Sequence, residues 1–295
     1  MADVDVVIVS YNSRDRLRAC VEPVADMPGV RVIVVDNASP DASLEVVRDM
    51  SVECVTQPRN GGFAYGVNAG WRRGRGTYVL LLNPDARLDR AALARLVGAL
   101  DRDPSAGAAA PRILDEDGRL DLSLRRFPRL RSTYAQALFL HRLLPSATWT
   151  DEVVRDPSVY EHVGTPEWAS GACLLVRRDS LVALDGLDER FFLYCEDKDL
   201  ARRLRDLGQH IVYEPKAIAT HASGASTPGG GLVDVLAASR IAYARKHRGT
   251  CVATLERIGV GLGALTHAVA GRGGRARRRG HLAALAVAVR PPEPA

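Results

Sequence analysis

Asn83-Pro84-Asp85 closes the apolar run "YVLLLNPD". A carboxylate delivered at the end of a buried strand can bind a divalent cation that neutralises a departing diphosphate. The same three residues also suit a plain strand-ending turn. Glu196 and Asp197 open the pattern "EDKDLARRLRDLG" directly after an aromatic run with Phe191, Phe192 and Tyr194. Acids at a helix start can be mere dipole partners. Beside apolar side chains, however, such a pair is well placed to hold a base, and a hydroxyl is a poor nucleophile until a positioned carboxylate takes its proton. Asp36 ends "VIVVD"; it can cap the next helix, as can Asp41, or accept from the ring N–H of a pyrimidine. In "RNGGFAYGVNAG", Gly61, Gly62 and Gly66 let backbone approach a ligand closely. His221 comes after an apolar run, where a histidine is either structural or a metal ligand.

These residues need elements to hold them. Short β-branched runs at Val4 to Ser10, Arg31 to Asp36, Val52 to Gln57 and Tyr78 to Asn83 predict strands. Amphipathic segments at Arg16 to Ala25, Ala42 to Met50 and Ala64 to Arg73 predict helices between them. That alternation predicts an α/β fold with a mostly parallel central sheet covered on both faces. Ligands bind such sheets outside the carboxyl ends of the strands, which are marked here by Ser10-Tyr11-Asn12, Asp36-Asn37 and Asn83-Pro84-Asp85. A helix at Asp89 to Leu100 and a strand at Ala108 to Leu114 come next, and residues from Asp115 to Thr165 read as irregular. Regular structure returns with "ASGACLLVRR", a helix from Glu196 to Leu207 ended by Gly208, the strand "HIVYEP" and a helix from Leu232 to His247. Beyond Gly249 the chain turns Gly-, Ala- and Arg-rich, and is expected to form a C-terminal helical extension.

The 295 residues carry a net charge of +5, with 46% hydrophobic and 25% charged residues, enough for one large domain, or one domain plus a helical appendage. Eleven Lys or Arg against two Glu from Arg240 onward give a balance of +9, leaving −4 for the first 239 residues. A mildly acidic body argues against a nucleic-acid enzyme. Cys20, Cys54, Cys173, Cys195 and Cys251 have no metal-site or disulfide spacing, and the first three are expected to be buried thiols. With no basic n-region or cleavage site at the start and no apolar run of ~18 residues, cytoplasmic placement is expected. The cluster Arg272, Arg275, Arg277, Arg278 and Arg279 beside "LAALAVAV" suits peripheral attachment to the inner face of an anionic membrane, or a solvated tail.

In order, "VIVSYNS", "VIVVDNASPDAS", "NGGFAYGVNAG", "LLLNPDA", "EWASGACLLVRRDSL", "LDERFFLYCEDKDLARRLRDLG" and "VYEPKAIATHASGAS" cover Val4 to Ser226. Together they resemble glycosyltransferase family 2, and especially its bacterial rhamnosyltransferase-like branch. The resemblance implies a GT-A type fold with a donor-binding half at residues 1–115, an acceptor-binding and catalytic half at 116–248, and the extension at 249–295. It implies that Tyr11 and Asp36 hold the nucleobase with Asn12 and Asn37 nearby, and that Ser10, Gly62, Asn68, Asn83, Pro84 and Asp85 complete the donor side. The family's Asp-x-Asp metal motif is Asn83-Pro84-Asp85 here, which leaves Asp85 as the metal carboxylate, with His221 able to complete the site for Mg²⁺ or Mn²⁺. Asp197 matches the catalytic base, supported by Glu196, while Trp168, Ser170, Gly171 and Ala172 match the acceptor-side loop. The implied reaction inverts configuration, moving a sugar from a nucleoside-diphosphate donor, foremost dTDP-L-rhamnose, to a hydroxyl on a saccharide or lipid-linked glycan in cell-envelope synthesis.

Rival enzymes lack their signatures. No Gly-x-Gly-x-x-Gly comes after the first strand, where Ser10-Tyr11-Asn12-Ser13-Arg14 stands instead, and no Gly-Lys-Ser/Thr occurs. A nucleotide-sugar pyrophosphorylase would want a basic, Gly-rich loop at that point. The remaining alternative is an inactive nucleotide-sugar-binding scaffold, which would be expected to have lost Asp85 or Asp197.

Overall fold

A computed structural model describes residues 3–222, 232–270 and 274–290. Contacts divide the chain into two compact units. The first comprises Met1–Arg125, Asp156–Glu189 and Glu196–Ser226, and the second Arg126–Arg155, Arg190–Cys195 and Thr227–Ala295.

In chain order the first unit begins β1 (Val4–Ser10), α1 (Arg14–Ala25), β2 (Val30–Asp36), β3 (Val52–Thr56), α2 (Phe63–Trp71) and β4 (Tyr78–Leu82). It continues with β5 (Ala86–Leu88), α3 (Arg90–Arg102), β6 (Ala106–Leu114) and β7 (Leu124–Arg125). After α4 (Leu130–Ala137) and α5 (Leu140–Leu143) of the second unit come β8 (Trp168–Ala169), β9 (Cys173–Arg177), α6 (Arg178–Ala183), α7 (Glu196–Asp206) and β10 (His210–His221). Eight strands form one sheet in the order β3-β2-β1-β4-β9-β6-β10-β5. The pairs among β3, β2, β1 and β4 and the β6–β10 pair are parallel, whereas β9 runs antiparallel to both neighbours and β5 antiparallel to β10.

Every residue of β1 and β4 is buried, as a strand covered on both faces requires. Register then sets the site. Ser10 pairs with Asp36 and Ile8 with Leu82, so three parallel strands deliver their polar residues at one end of the sheet, their carboxyl ends. Leu82 opposite Cys173 brings Ala172 to Asn83, whose N–H donates to the Ala172 carbonyl at 2.9 Å. Ala86 opposite His221 brings that histidine beside Asp85. Gly208 ends α7 in the left-handed region at φ 75°, as its sequence position predicts.

Three expectations need correction. The helix expected at Ala42 to Met50 is only a 3₁₀ turn, Ser43–Val47. The Asp41 carboxylate accepts the N–H groups of Arg14 (3.0 Å) and Ser43 (3.1 Å), and Ala42 turns left-handed at φ 54°, so the local turn wins over the helix. Residues 115–165 are not simply irregular: they contain β7, α4, α5 and a 3₁₀ turn, Pro157–Glu161. The buried face of α4 is Ser132, Thr133, Ala135 and Ala137, which leaves no apolar periodicity to read. Cys54 is exposed, unlike the buried Cys20 and Cys173.

The second unit closes with α8 (Val233–His247), α9 (Thr250–Ala270) and α10 (Arg275–Val289), so the extension is helical as expected. Buried alanines line these helices, Ala237, Ala264 and Ala284 forming one cluster, and a Cβ at Gly259 would meet Thr133 at 2.8 Å. Arg240 of α8 donates to Glu152 (2.7 Å), Thr133 (3.2 Å) and Glu256 (3.3 Å), a partnered ion cluster within this unit. Arg272 lies outside the described residues, as does the end of the seventh matching segment. Among the described residues no helix is long and apolar enough to cross a membrane.

Candidate functional site

At the β1–β2 end of the sheet, Ser10, Asp36 and Asn37 are buried, with exposures of 0%, 7% and 2%. Asn37 is pinned: its N–H donates to the Ser10 carbonyl (2.9 Å) and its side-chain amide to the Gly62 carbonyl (2.8 Å). Asp36 Oδ2 accepts the Ser39 N–H at 3.2 Å, a loop bond rather than the helix cap expected, since the following turn starts only at Ser43. Asp36 Oδ1, Asn37 Oδ1 and Ser10 Oγ are buried without a hydrogen-bond partner. An unpaired buried acceptor costs about 1–3 kcal/mol, and three at adjacent strand ends form a site that a donor-bearing ligand would satisfy. Tyr11 is 43% exposed beside them, and Asn12 sits in the left-handed region at φ 52°. Gly62 takes φ 90°, a conformation side chains rarely adopt, so glycine is required there. Asn68 is committed elsewhere. Its Nδ2 donates to the Leu187 carbonyl and Glu189 (both 2.8 Å), and its Oδ1 accepts from Leu187 N–H (2.9 Å) and Trp71 (3.1 Å).

At the β5–β10 edge, Asp85 Oδ1 lies 3.2 Å from His221 Nε2, and Asp121 Oδ2 lies 3.7 Å from Nδ1. Asn83 Nδ2 lies 3.3 Å from the same Nε2. The turn reading is also satisfied, because Ala86 N–H donates to the Asn83 carbonyl at 3.0 Å across Pro84. Burial opposes the charge of His221, but hydrogen bonds and the fields of Asp121 and Asp85 outweigh it and raise its pKa to about 9. Asp121 escaped the sequence reading, although Asp117-Gly118 between Leu114 and Leu120 is a hairpin signal. The Leu114–Leu120 bridge and the Asp121 N–H to Ile113 carbonyl bond (2.9 Å) fold that segment back to the histidine.

Among the described residues no group of three His, Cys, Asp or Glu could hold a metal by itself. Asp85 and His221 still form a fitting half-site. Mg²⁺ and Mn²⁺ take one or two protein ligands and complete their shell with phosphate oxygens and water. A carboxylate on the far nitrogen, here Asp121, is the usual support of a metal-binding imidazole.

The third part is the start of α7. Asp197 Oδ2 accepts the Gly171 N–H at 3.2 Å and Oδ1 accepts the Lys198 N–H at 2.7 Å. Burial raises the Asp197 pKa against those two bonds, and raises that of Glu196 as well, with the Asp197 charge adding to it. Glu196 Oε2 is buried with no partner. Just before the pair, Tyr194 and Cys195 take φ 67° and 68°, strained conformations of the kind found at functional sites. In the second unit Phe191 packs with Cys195 and Tyr243, and Phe192 is 42% exposed. The loop holding Asp197 is itself fixed. Ser170 N–H donates to the Ser123 carbonyl (3.0 Å), and Ala172 N–H donates to Ser170 Oγ (3.3 Å). Trp168 is half-buried on β8. Ser123 Oγ, buried without a partner, is a second residue the sequence did not single out.

The model of "Glycosyl transferase family 2" matches residues 5–155. An N-acetylglucosaminyl-diphospho-decaprenol L-rhamnosyltransferase of Mycobacterium tuberculosis is 33% identical over 244 residues, covering 77% of this chain and 78% of the relative. Rhamnosyltransferase WbbL of Escherichia coli is 25% identical over 230 residues, 74% and 83% of the two chains. Among solved structures, a mannosyltransferase of Pyrobaculum calidifontis in complex with GDP-Man and Mn²⁺ has TM-score 0.59 at 18% identity, covering 98% of this chain and 89% of that one. TarS of S. aureus in complex with UDP-GlcNAc has TM-score 0.56 at 14% identity, covering 97% and 80%. These likenesses identify the sheet as the GT-A type fold. The chain belongs to glycosyltransferase family 2.

Proposed function

We propose that this glycosyltransferase inverts configuration in a single displacement, with dTDP-L-rhamnose as its donor and a lipid-linked or other saccharide hydroxyl as its acceptor. Residues 1–115 are the donor half and 116–248 the acceptor half. Asp197 carries the reading. Its carboxylate is desolvated, raised in pKa and hydrogen-bonded to Gly171 of the loop assigned to the acceptor. As the acceptor oxygen bonds to the anomeric carbon, the bond to the diphosphate breaks and the hydroxyl proton passes to Asp197. Asp85 and His221 would hold a divalent cation, which when bound neutralises the leaving diphosphate. Glu196, raised in pKa by burial and by the neighbouring Asp197 charge, supports the base from the same turn. The rhamnose assignment draws on the names of the M. tuberculosis and E. coli relatives.

A screen of dTDP-, UDP- and GDP-sugars, tracking nucleoside-diphosphate release and the anomeric configuration of the product, tests this directly. The expected result is preferential turnover of dTDP-L-rhamnose with inversion. Faster turnover of a UDP- or GDP-sugar would replace the donor, and retention would remove the single displacement.

Asp36 Oδ1 is assigned to the ring N–H of the nucleobase. Asp36→Ala is therefore expected to raise donor KM about tenfold or more, the loss of one charge-assisted hydrogen bond, with a smaller change for acceptor. If only the melting temperature falls, the bond to Ser39 is all that Asp36 provides.

The basic face of α10 is assigned to an anionic membrane surface. Deleting the helix would uncover the alanines packed beneath it, so charge reversal is the cleaner probe. Arg275→Glu, Arg278→Glu and Arg279→Glu together should weaken co-sedimentation with phosphatidylglycerol vesicles, as should salt acting on the native protein. Vesicle binding that is equal in native and reversed protein would remove this role.

A further inference from the structure

We propose that Lys198 is a positioning residue of the acceptor side, fixing the Trp168 ring and holding Asp197 ready to receive the acceptor's proton. The inference rests on the assignment of Asp197 as base and goes beyond it. Lys198 is only 5% exposed, and its Nζ stands 5.0 Å from the centroid of the Trp168 ring. Burying an ammonium is costly unless its surroundings offset the loss of water, and an indole face in a desolvated site is one such surrounding. Two adjacent residues of α7 thus grip one short loop segment. Asp197 takes the Gly171 N–H, and Lys198 covers the Trp168 ring three residues earlier. A half-buried indole fixed in this way offers a flat apolar surface for the C–H face of a sugar ring.

The charge matters as much as the contact. Glu196, Asp197 and Asp199 crowd the first turn of α7, and Asp199 is held by Arg203 at 2.7 Å. Lys198 supplies the positive charge inside the turn. It lowers the proton affinity of both Glu196 and Asp197, against burial of both and against the charges of Asp197 and Asp199 on Glu196. Arg125, directly across the β7–β8 ladder from Trp168, acts on Asp197 in the same sense. A methionine at 198 would keep the volume of the stem and lose the charge. Arginine would keep the charge.

The test uses full-length protein and two readouts that need no substrate. The first is the ¹⁹F spectrum of 5-fluorotryptophan-labelled protein, with the Trp168 line assigned through Trp168→Phe. The second is the ¹³C titration of labelled aspartate carboxyls, with Asp197 assigned through Asp197→Asn. Lys198→Met is expected to shift and broaden the Trp168 line and to move the Asp197 midpoint upward, while Lys198→Arg restores both. With dTDP-L-rhamnose and a short-chain prenyl-diphospho-N-acetylglucosamine, Lys198→Met should raise acceptor KM about tenfold and leave donor KM within about twofold. A folded Lys198→Met protein whose Trp168 line and Asp197 midpoint match the native ones overturns the proposal. Unchanged acceptor KM, with both spectra altered, overturns its acceptor-side part. Native protein inactive on that pair of substrates removes the donor and acceptor assignment, and near-normal turnover of Asp197→Asn removes the base. In both cases the two spectra still decide what Lys198 holds.

Discussion

Asp197→Asn is expected to lower kcat by ~10²-fold or more while donor affinity stays near the native value. The substitution is nearly isosteric, and the amide oxygen can still accept one N–H, so the loop at Gly171 should stay in place. Proton acceptance is what is lost. The pH profile gives a second check. Burial raises the Asp197 pKa, so the base becomes protonated, and kcat/KM falls, as pH drops through a value above the ordinary carboxylate range of about 3.9–4.3. That acid limb should vanish from the residual activity of the variant. Turnover within a few-fold of native would move the role to Glu196, and Glu196→Gln would then be the variant that loses it.

Asp85→Ala is expected to cost about 10³-fold in kcat/KM, in line with losing a cation that stabilises a leaving diphosphate by several kcal/mol. EDTA should inhibit the native enzyme, and Mg²⁺ or Mn²⁺ should restore it. Mn²⁺ binding measured by calorimetry in the presence of nucleoside diphosphate should disappear in the variant, which separates loss of metal from loss of fold. Removing Asp85 also takes a carboxylate partner away from His221, so the melting temperature of the variant needs to be measured alongside. Full activity in EDTA, with no gain from either metal, would sink the metal-dependent mechanism.

The parts of the site that lie on buried strands were legible in the sequence. β1, β2 and β4 are near-continuous apolar runs, and the polar residues that end them had nowhere to go but the carboxyl end of the sheet. What could not be read were partnerships across long stretches of chain. Asn68 looked like a donor-side amide in a glycine-rich segment, but its partners Leu187 and Glu189 lie 119 and 121 residues away. Asp121 gains its meaning from His221, which reaches it through the β6–β10 pairing that sets Thr220 opposite Leu114. The helix α4 was invisible for a different reason. Its buried face is made of serine, threonine and alanine, and hydrophobic periodicity reads only side chains that drive burial.

The order of strands in the sheet also sets a timetable for synthesis. β6 is finished at Leu114, but its neighbours on either side, β9 and β10, begin at Cys173 and His210. At ~5–20 residues per second, the 58 residues between Leu114 and Cys173 keep β6 waiting roughly 3–12 s with neither edge paired. β4 waits beside it with one edge open, because β9 is the strand that joins them. Both are made almost wholly of buried apolar residues, and unpaired apolar edges are what newly made chains aggregate through. The segment proposed to face the acceptor is thus also the piece that closes the sheet. A ribosome that stalls between Leu114 and Cys173 leaves the chain at its most vulnerable.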